Sequence, residues 1–163
     1  ATPVDLGRRL AAVVLDGAVV SGLITAAYLV IGIIAFLLAS LGASAGVLNV
    51  VSTVLLLAIV AGIAAYYLLP LGRTGQTLGK RILAIRVIDN TGGGSIGVGR
   101  SFGRYFFLWL MGLPCYLGYL SVFLDKSGWH RGWHDSMART KVVTAEALPF
   151  GAAVRATVDA IKG

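Results

Sequence analysis

Three long apolar runs divide the chain, separated by short polar and mostly basic segments. The first, Leu10 to Leu41, is too long for one simple crossing: at about 1.5 Å per residue it exceeds a hydrocarbon core of about 30 Å. Either the helix tilts, or its first turns lie in the interface and the span proper begins near Asp16. The first turns fit the second geometry, because Asp5, Arg8, Arg9 and Asp16 fall near one helical face while Leu6, Leu10, Val13 and Val14 fall on another. Gly17, Ser21, Gly22 and Ala26 add small positions at roughly one-turn spacing, where another helix could approach closely. The uncharged, Gly/Ala/Ser-rich segment 40–49 predicts a tight turn. A second span follows over about 47–69, with Ala61, Gly62 and Ala65 as packing positions, Tyr66 and Tyr67 as an aromatic belt and Pro70 as its stop. These elements make a helical hairpin.

The central polar segment, 71–101, changes period. Ile82 to Asp89 (ILAIRVID) is rich in β-branched residues and ends at Asn90-Thr91-Gly92-Gly93-Gly94, which predicts a strand followed by a turn. Its candidate partner is Thr140 to Val143 (TKVV). The third apolar run, Phe102 to Leu124, is just long enough to cross as a helix, yet Gly112, Pro114 and Gly118 interrupt it. Two arrangements are open: a simple crossing, or two short embedded helices that turn around Leu113-Pro114 and return. Irregular backbone at that depth needs protein or trapped water around it. The expected fold class is therefore an all-α membrane protein of two transmembrane helices plus a broken or re-entrant apolar hairpin, with a small cytoplasmic two-stranded β element. The expected division is a membrane domain over 1–145 and an amphipathic tail over 146–163, with Val154, Val158 and Ile161 on one face of that tail.

Composition agrees, with 57% hydrophobic and only 13% charged residues at a mean hydropathy of +0.85. Fourteen Lys and Arg against 7 acids give a formal charge of +7, which in so apolar a chain implies orientation and contact with anionic lipid rather than nucleic-acid binding. Arg73, Lys80, Arg81, Arg86 and Arg100 against Asp89 alone put the central loop, and with it the N-terminus, on the cytoplasmic side. Lys126, Arg131, Arg139 and Lys141 ask the same of the tail and so favour the re-entrant arrangement. Nothing in the first residues resembles a cleavable signal peptide. The single cysteine, Cys115, has no partner for a disulfide or thiolate metal site and reads as a small buried apolar residue.

Asp16 is the most informative residue. A charge inside a membrane segment is costly, and it marks either function or a structural ion pair. Arg9 and Asp16, seven residues apart, project from one helix face roughly 10 Å apart, and Arg9, Arg104 or Arg8 could pair with the carboxylate. Two roles are open: a structural pair that holds the bundle in register, or a carboxylate that carries a proton or cation. Gly75 to Arg81 (GQTLGKR) is similar in outline to a phosphate loop, but it has three residues between its glycines and lacks the hydroxyl that would bind magnesium. It reads instead as a basic turn along the inner membrane surface, with Lys80 and Arg81 gripping lipid phosphates. The Gly92 to Gly99 run lacks the context of a dinucleotide fingerprint and reads as a turn. His130, His134 and Asp135 have spacing that a metal could use, but Trp129 and Trp133 beside them point to an interfacial anchor. No metal or cofactor is expected. No nucleophile-and-base constellation is present, so no enzymatic activity is expected either.

Taken together, Arg9, Asp16, the loop motif Gly75-Gln76-Thr77-Leu78-Gly79-Lys80-Arg81 leading into ILAIRVID, and His134-Asp135 followed by Ala138-Arg139-Thr140 give a chain that resembles the RDD family of small bacterial membrane proteins. The resemblance covers about 8–143. It implies that Arg9 and Asp16 match the first two signature positions and Asp135 the third, with Asp125 competing for the third and His134 and Arg104 in support. The family carries a suggested role in transport and no shared enzymatic activity. The expected function is an accessory or scaffolding subunit of a multi-pass complex in the bacterial plasma membrane, in contact with other subunits or with itself. The alternative is a small oligomeric transporter, such as a monovalent cation/proton antiporter using Asp16. About three spans are too few to enclose a pathway alone, so that alternative requires oligomerisation.

Overall fold

The computed structural model describes residues 3–112, 121–124, 126, 128–129 and 131–163. Helix α1 runs Leu6–Ser40 and α2 runs Ala45–Thr74. Both are long and apolar enough to cross a membrane, and the most apolar window of each buries none of its residues in the chain. They are followed by a short helix α3 (Leu78–Ile82), strand β1 (Ile85–Asp89), helix α4 (Gly97–Gly112), a single 3-10 turn (Ser121–Leu124), a short helix α5 (Trp133–Met137), strand β2 (Thr140–Thr144) and helix α6 (Phe150–Lys162). The chain divides into two compact units, one of Ala1–Asp16 with Tyr66–Gly163 and one of Gly17–Ala65.

The second unit is the helical hairpin. Its turn is closed by Gly42, whose φ of 83° is open to glycine at little steric cost, and by amide donation from Ala43 to the Leu38 carbonyl at 3.0 Å, a C-terminal cap that answers carbonyls left over at the end of α1. Leu29, Phe36, Val50 and Leu57 stand well exposed along it. A hairpin with that surface is stable only where hydrocarbon rather than water surrounds it. A Cβ built on Gly17, Gly22, Gly32 or Gly62 would meet nothing within 4 Å, so these small residues mediate no close helix approach among the described residues.

The first unit is a cap around a two-stranded antiparallel sheet. Ile85 pairs with Thr144 and Asp89 with Thr140, and Pro3 adds an isolated bridge to Val143. Val4, Ala12, Leu71, Ile85, Val87, Ile96 and Val142 form its core, each at most 4% exposed. The strand begins at Ile85 rather than Ile82. Residues 78–82 make the helical turn of α3, and Ala84, at φ 54°, reverses the chain into the strand. The second span also passes its expected stop: Pro70 lies inside α2, which continues to Thr74. Proline removes one helical N–H donor, but Pro70 and Leu71 are fully buried here and Thr74 donates its hydroxyl to the Pro70 carbonyl at 2.7 Å. Packing holds the extra turn. Gly75 then turns at φ 73° and accepts from the Val87 amide at 2.7 Å, laying the α2–α3 connection along the edge of β1.

The tail helix α6 packs against α3, and its buried residues are Ala153, Thr157 and Ala160. Arg73, in the last turn of α2, donates to the carbonyls of Ala160 and Ile161 at 2.8 and 3.0 Å and so answers acceptors left unsatisfied at the end of α6. Helix α4 starts at Gly97, before the apolar run that it enters. The turn around Leu113-Pro114, on which the choice between re-entry and crossing depends, lies outside the described residues, as do Cys115, Asp125 and His130 and the side chain of His134.

Candidate functional site

Two buried carboxylates organise the cap. Asp16, 2% exposed, lies where the first unit ends on α1. Its Oδ1 accepts from the Tyr66 hydroxyl at 2.8 Å and from the Gly79 amide at 2.8 Å, and its Oδ2 accepts from the Thr77 hydroxyl. The Lys80 ammonium stands 3.7 Å from Oδ2 and also donates to the Thr77 hydroxyl at 3.3 Å. Three neutral donors and one cation therefore surround one carboxylate.

The local sequence explains how α3 gets this close. A Cβ on Gly79 would lie 2.6 Å from the Ala12 carbonyl and 3.0 Å from the Asp16 carboxylate, so only glycine lets the amide reach Asp16. Thr77, fully buried, precedes the helix in an extended conformation and turns its hydroxyl onto the same carboxylate. The loop motif is thus a cradle for Asp16.

The second carboxylate, Asp135, is 1% exposed and lies in the first turn of α5. The Arg104 guanidinium reaches its Oδ1 at 2.7 Å, and Arg9 reaches its Oδ2 at 3.5 Å while donating to the Trp129 carbonyl at 2.8 Å. The Gly132 amide adds a donor at 3.4 Å, and Arg104 also meets the Thr140 hydroxyl at 3.3 Å. These bonds tie α1, α4, α5 and β2 together.

The expected pairing of Asp16 with an arginine is corrected by this geometry. Arg9 and Arg104 belong to Asp135, and Arg8 donates to the Leu83 carbonyl at 3.0 Å. Lys80 is the cation at Asp16. The expected grip of Lys80 and Arg81 on lipid phosphates is corrected too, since both are buried, at 8% and 5% exposed, and Arg81 donates to the Thr74 hydroxyl at 2.7 Å. Burial pushes the Lys80 ammonium below its ordinary range, with Asp16 opposing the shift, and burial also lowers Arg81. Trp129 is half-buried beneath Lys141, whose ammonium lies 5.0 Å from the ring centroid, while Trp133 is 45% exposed. The residues missed by sequence reasoning are Tyr66, Thr77 and Gly79. The signal for two of them was present in the spacing Thr77-Leu78-Gly79-Lys80, which places a hydroxyl, a backbone amide and an ammonium on one short turn.

Beside the paired charges is a cavity of about 130 Å³, lined by apolar side chains of α1 and α4 and by Arg9, Lys80, Arg104 and Asp135. Among the described residues, no group of three or more His, Cys, Asp and Glu gathers in a way that could hold a metal ion.

Comparison with known proteins places this geometry in context. The chain is 35% identical over 89 residues to the uncharacterized protein YxaI of Bacillus subtilis (strain 168), an alignment that covers 55% of this chain and 56% of the relative. The match thus spans about half the length of the curated relative. No solved structure matches. Residues 3–139 match the RDD family, a stretch that includes both helices long enough to span and both buried carboxylates, Asp16 and Asp135, and the chain belongs to that family.

Proposed function

We propose that this protein is a non-catalytic accessory or scaffolding subunit of a larger assembly in the bacterial plasma membrane, with its N-terminus, basic loop and sheet on the cytoplasmic side. The observation that carries the reading is the closed coordination of Asp16. Its carboxylate accepts from Tyr66, Thr77 and Gly79 and pairs with Lys80, so it fastens α1 to α2 and α3. A group so fully engaged acts as a clamp, and breaking it to admit a coupling ion would cost several of these bonds at once. The orientation is supported by the basic residues of 71–101.

The test is native mass measurement of the protein extracted from its own membranes in a mild detergent. Co-purification with different subunits at fixed stoichiometry supports the scaffold. A homo-oligomer whose cation flux in proteoliposomes is lost in Asp16→Asn would replace it with the transporter. That second reading has one observation in its favour: the buried Lys80 already has a lowered proton affinity next to a carboxylate, and a cation arriving at Asp16 would lower it further.

A further inference from the structure

Tyrosine belongs at the two edges of a membrane, where its ring lies against hydrocarbon and its hydroxyl stays wet. Tyr28 lies elsewhere. It stands midway along the apolar part of α1, about 16 Å from Gly17 and about 18 Å from the helix end at Ser40, farther from each than a phenol side chain extends. The side chain is 56% exposed and, among the described residues, its hydroxyl has no hydrogen-bond partner. Acyl chains offer none either. A hydroxyl in hydrocarbon without a partner is costly, and in membranes a polar group on another helix relieves that cost.

Tyr28 is also part of a face. Ser21, Thr25, Tyr28, Gly32 and Ala35 follow one another at steps of four, three, four and three residues, the alternation that keeps one stripe of a helix turned toward a neighbour alongside it. The first four are exposed, whereas Ile24, Ala27, Ile31 and Ile34, on another face of α1, are half-buried. Thr25 donates its hydroxyl to the Ser21 carbonyl at 2.9 Å and so is satisfied within its own helix. Tyr28 is not. One turn beyond it, a Cβ on Gly32 would meet nothing within 4 Å, which leaves the space beside the stripe open to a side chain from outside the chain.

The chemistry of the stripe points to its occupant. Copies of one chain insert in the same orientation, so a two-fold axis along the membrane normal lays α1 parallel to α1 and brings matching residues together at the same depth. A hydroxyl both donates and accepts, which makes Tyr28 complementary to a second Tyr28 with no other chemistry required. We propose that two copies of this chain pair in the membrane through α1, with their Tyr28 hydroxyls hydrogen-bonded to one another across the axis. The Tyr28 ring of each copy lies over Gly32 of the other, where no side chain competes for the space. The pairing requires only that α1 lie in a bilayer. It goes beyond the scaffold reading, and a dimer without cation flux leaves that reading standing.

The experiment uses the full chain with Cys115→Ser and one new cysteine, in vesicles at a low protein-to-lipid ratio, oxidised with copper-phenanthroline. Ser21→Cys and Gly32→Cys, on the stripe, should form disulfide-linked homodimers at least about tenfold faster than Leu23→Cys and Val30→Cys, exposed on the opposite face, because the bond forms only between Cα atoms within about 7 Å. Single-molecule photobleaching of the fluorescently tagged wild type in the same vesicles should show two steps. Tyr28→Phe should weaken the dimer about threefold to tenfold, the loss of one interhelical hydrogen bond. Gly32→Phe should abolish it while keeping the wild-type circular dichroism spectrum. A monomeric wild type overturns the proposal without reference to any variant, and so do equal cross-linking rates on the two faces or undiminished pairing in Tyr28→Phe. Cross-linking of Gly32→Cys in native membranes to a different protein, with no homodimer, would assign the face to another subunit and overturn self-pairing.

Discussion

Asp16→Asn removes one charge from a buried pair with almost no change in shape. The site worked through atom by atom sets the expected cost. Oδ1 faces the Tyr66 hydroxyl and the Gly79 amide, both at 2.8 Å. An amide N–H cannot become an acceptor, so the new NH2 group must occupy the Oδ2 position, where the Thr77 hydroxyl can rotate to accept from it. Lys80, 3.7 Å away, then keeps its charge without its carboxylate. Breaking a buried pair by removing one partner costs about 3–5 kcal/mol. The Lys80 ammonium keeps the Thr77 hydroxyl as an acceptor, so the lower end, about 3 kcal/mol, is expected. Lys80→Met should cost less, about 1–2 kcal/mol, since Asp16 keeps three hydrogen-bond donors. The double variant should then be about 1–3 kcal/mol more stable than the sum of the single losses. Reversible denaturant titration of the full chain in neutral detergent, followed by circular dichroism, measures all four corners of the cycle. Losses that add within about 0.5 kcal/mol would refute the view that Asp16 and Lys80 act as one clamp.

Other substitutions probe the same packing. Gly79→Ala should destabilise by about 3–5 kcal/mol, the sum of a lost charge-assisted hydrogen bond and an overpacked contact with the Ala12 carbonyl, read by the same titration. Gly75→Ala should be at least as damaging, because the residue is held at φ 73° and its Cβ would collide with the Val87 carbonyl; a wild-type midpoint would contradict the turn. Leu71→Ala, at a fully buried position of the cap core, should cost about 2–5 kcal/mol. Asp89 is held at about 2, first by the Thr91 amide and then by Arg100. Its folded value lies below the ordinary 3.8, so its contribution to stability is complete above about 4 and is lost as pH falls toward 2. A carboxyl titration by NMR should show the low midpoint, and Thr91→Pro, which removes the amide donor, should raise it.

The sequence made the elements legible where period and length are strong signals. The two spans, the uncharged turn between them and the pairing of ILAIRVID with TKVV all follow from runs of apolar residues, helix breakers and β-branched residues. Boundaries failed where tertiary packing overrode local preference. Pro70 signals a stop only if nothing compensates its missing donor, and the buried contacts of Leu71 do so. Ile82 and Leu83 suit a strand as well as any residue in it, yet the need to carry Gly79 and Lys80 up to Asp16 holds them in a helical turn. The tail was expected to be amphipathic, with Val154, Val158 and Ile161 on one face. Its buried positions are the small residues Ala153, Thr157 and Ala160, and Arg73 of α2 answers the carbonyls at its C-terminal end.

The charges show why composition finds a site sooner than it finds the pairing within it. Arg9, Asp16, Arg104 and Asp135 stand out because each is costly in apolar surroundings, and that cost is visible in one dimension. Which carboxylate meets which cation depends on helix rotation and on contacts between residues far apart in the chain: Asp16 with Lys80 across α1 and α3, Arg9 with Asp135 across α1 and α5. Helical spacing put Arg9 and Asp16 on one face, and that inference treated shared direction as shared partnership. A salt bridge needs its ends within about 4 Å, and a shared helix face alone does not bring them there. The structure assigns the two residues to separate carboxylate sites, Asp16 and Asp135, each with its cation from another element of the chain. The basic loop is the natural source of one of them, which is why Lys80 is buried beside Asp16 instead of lying on the membrane surface.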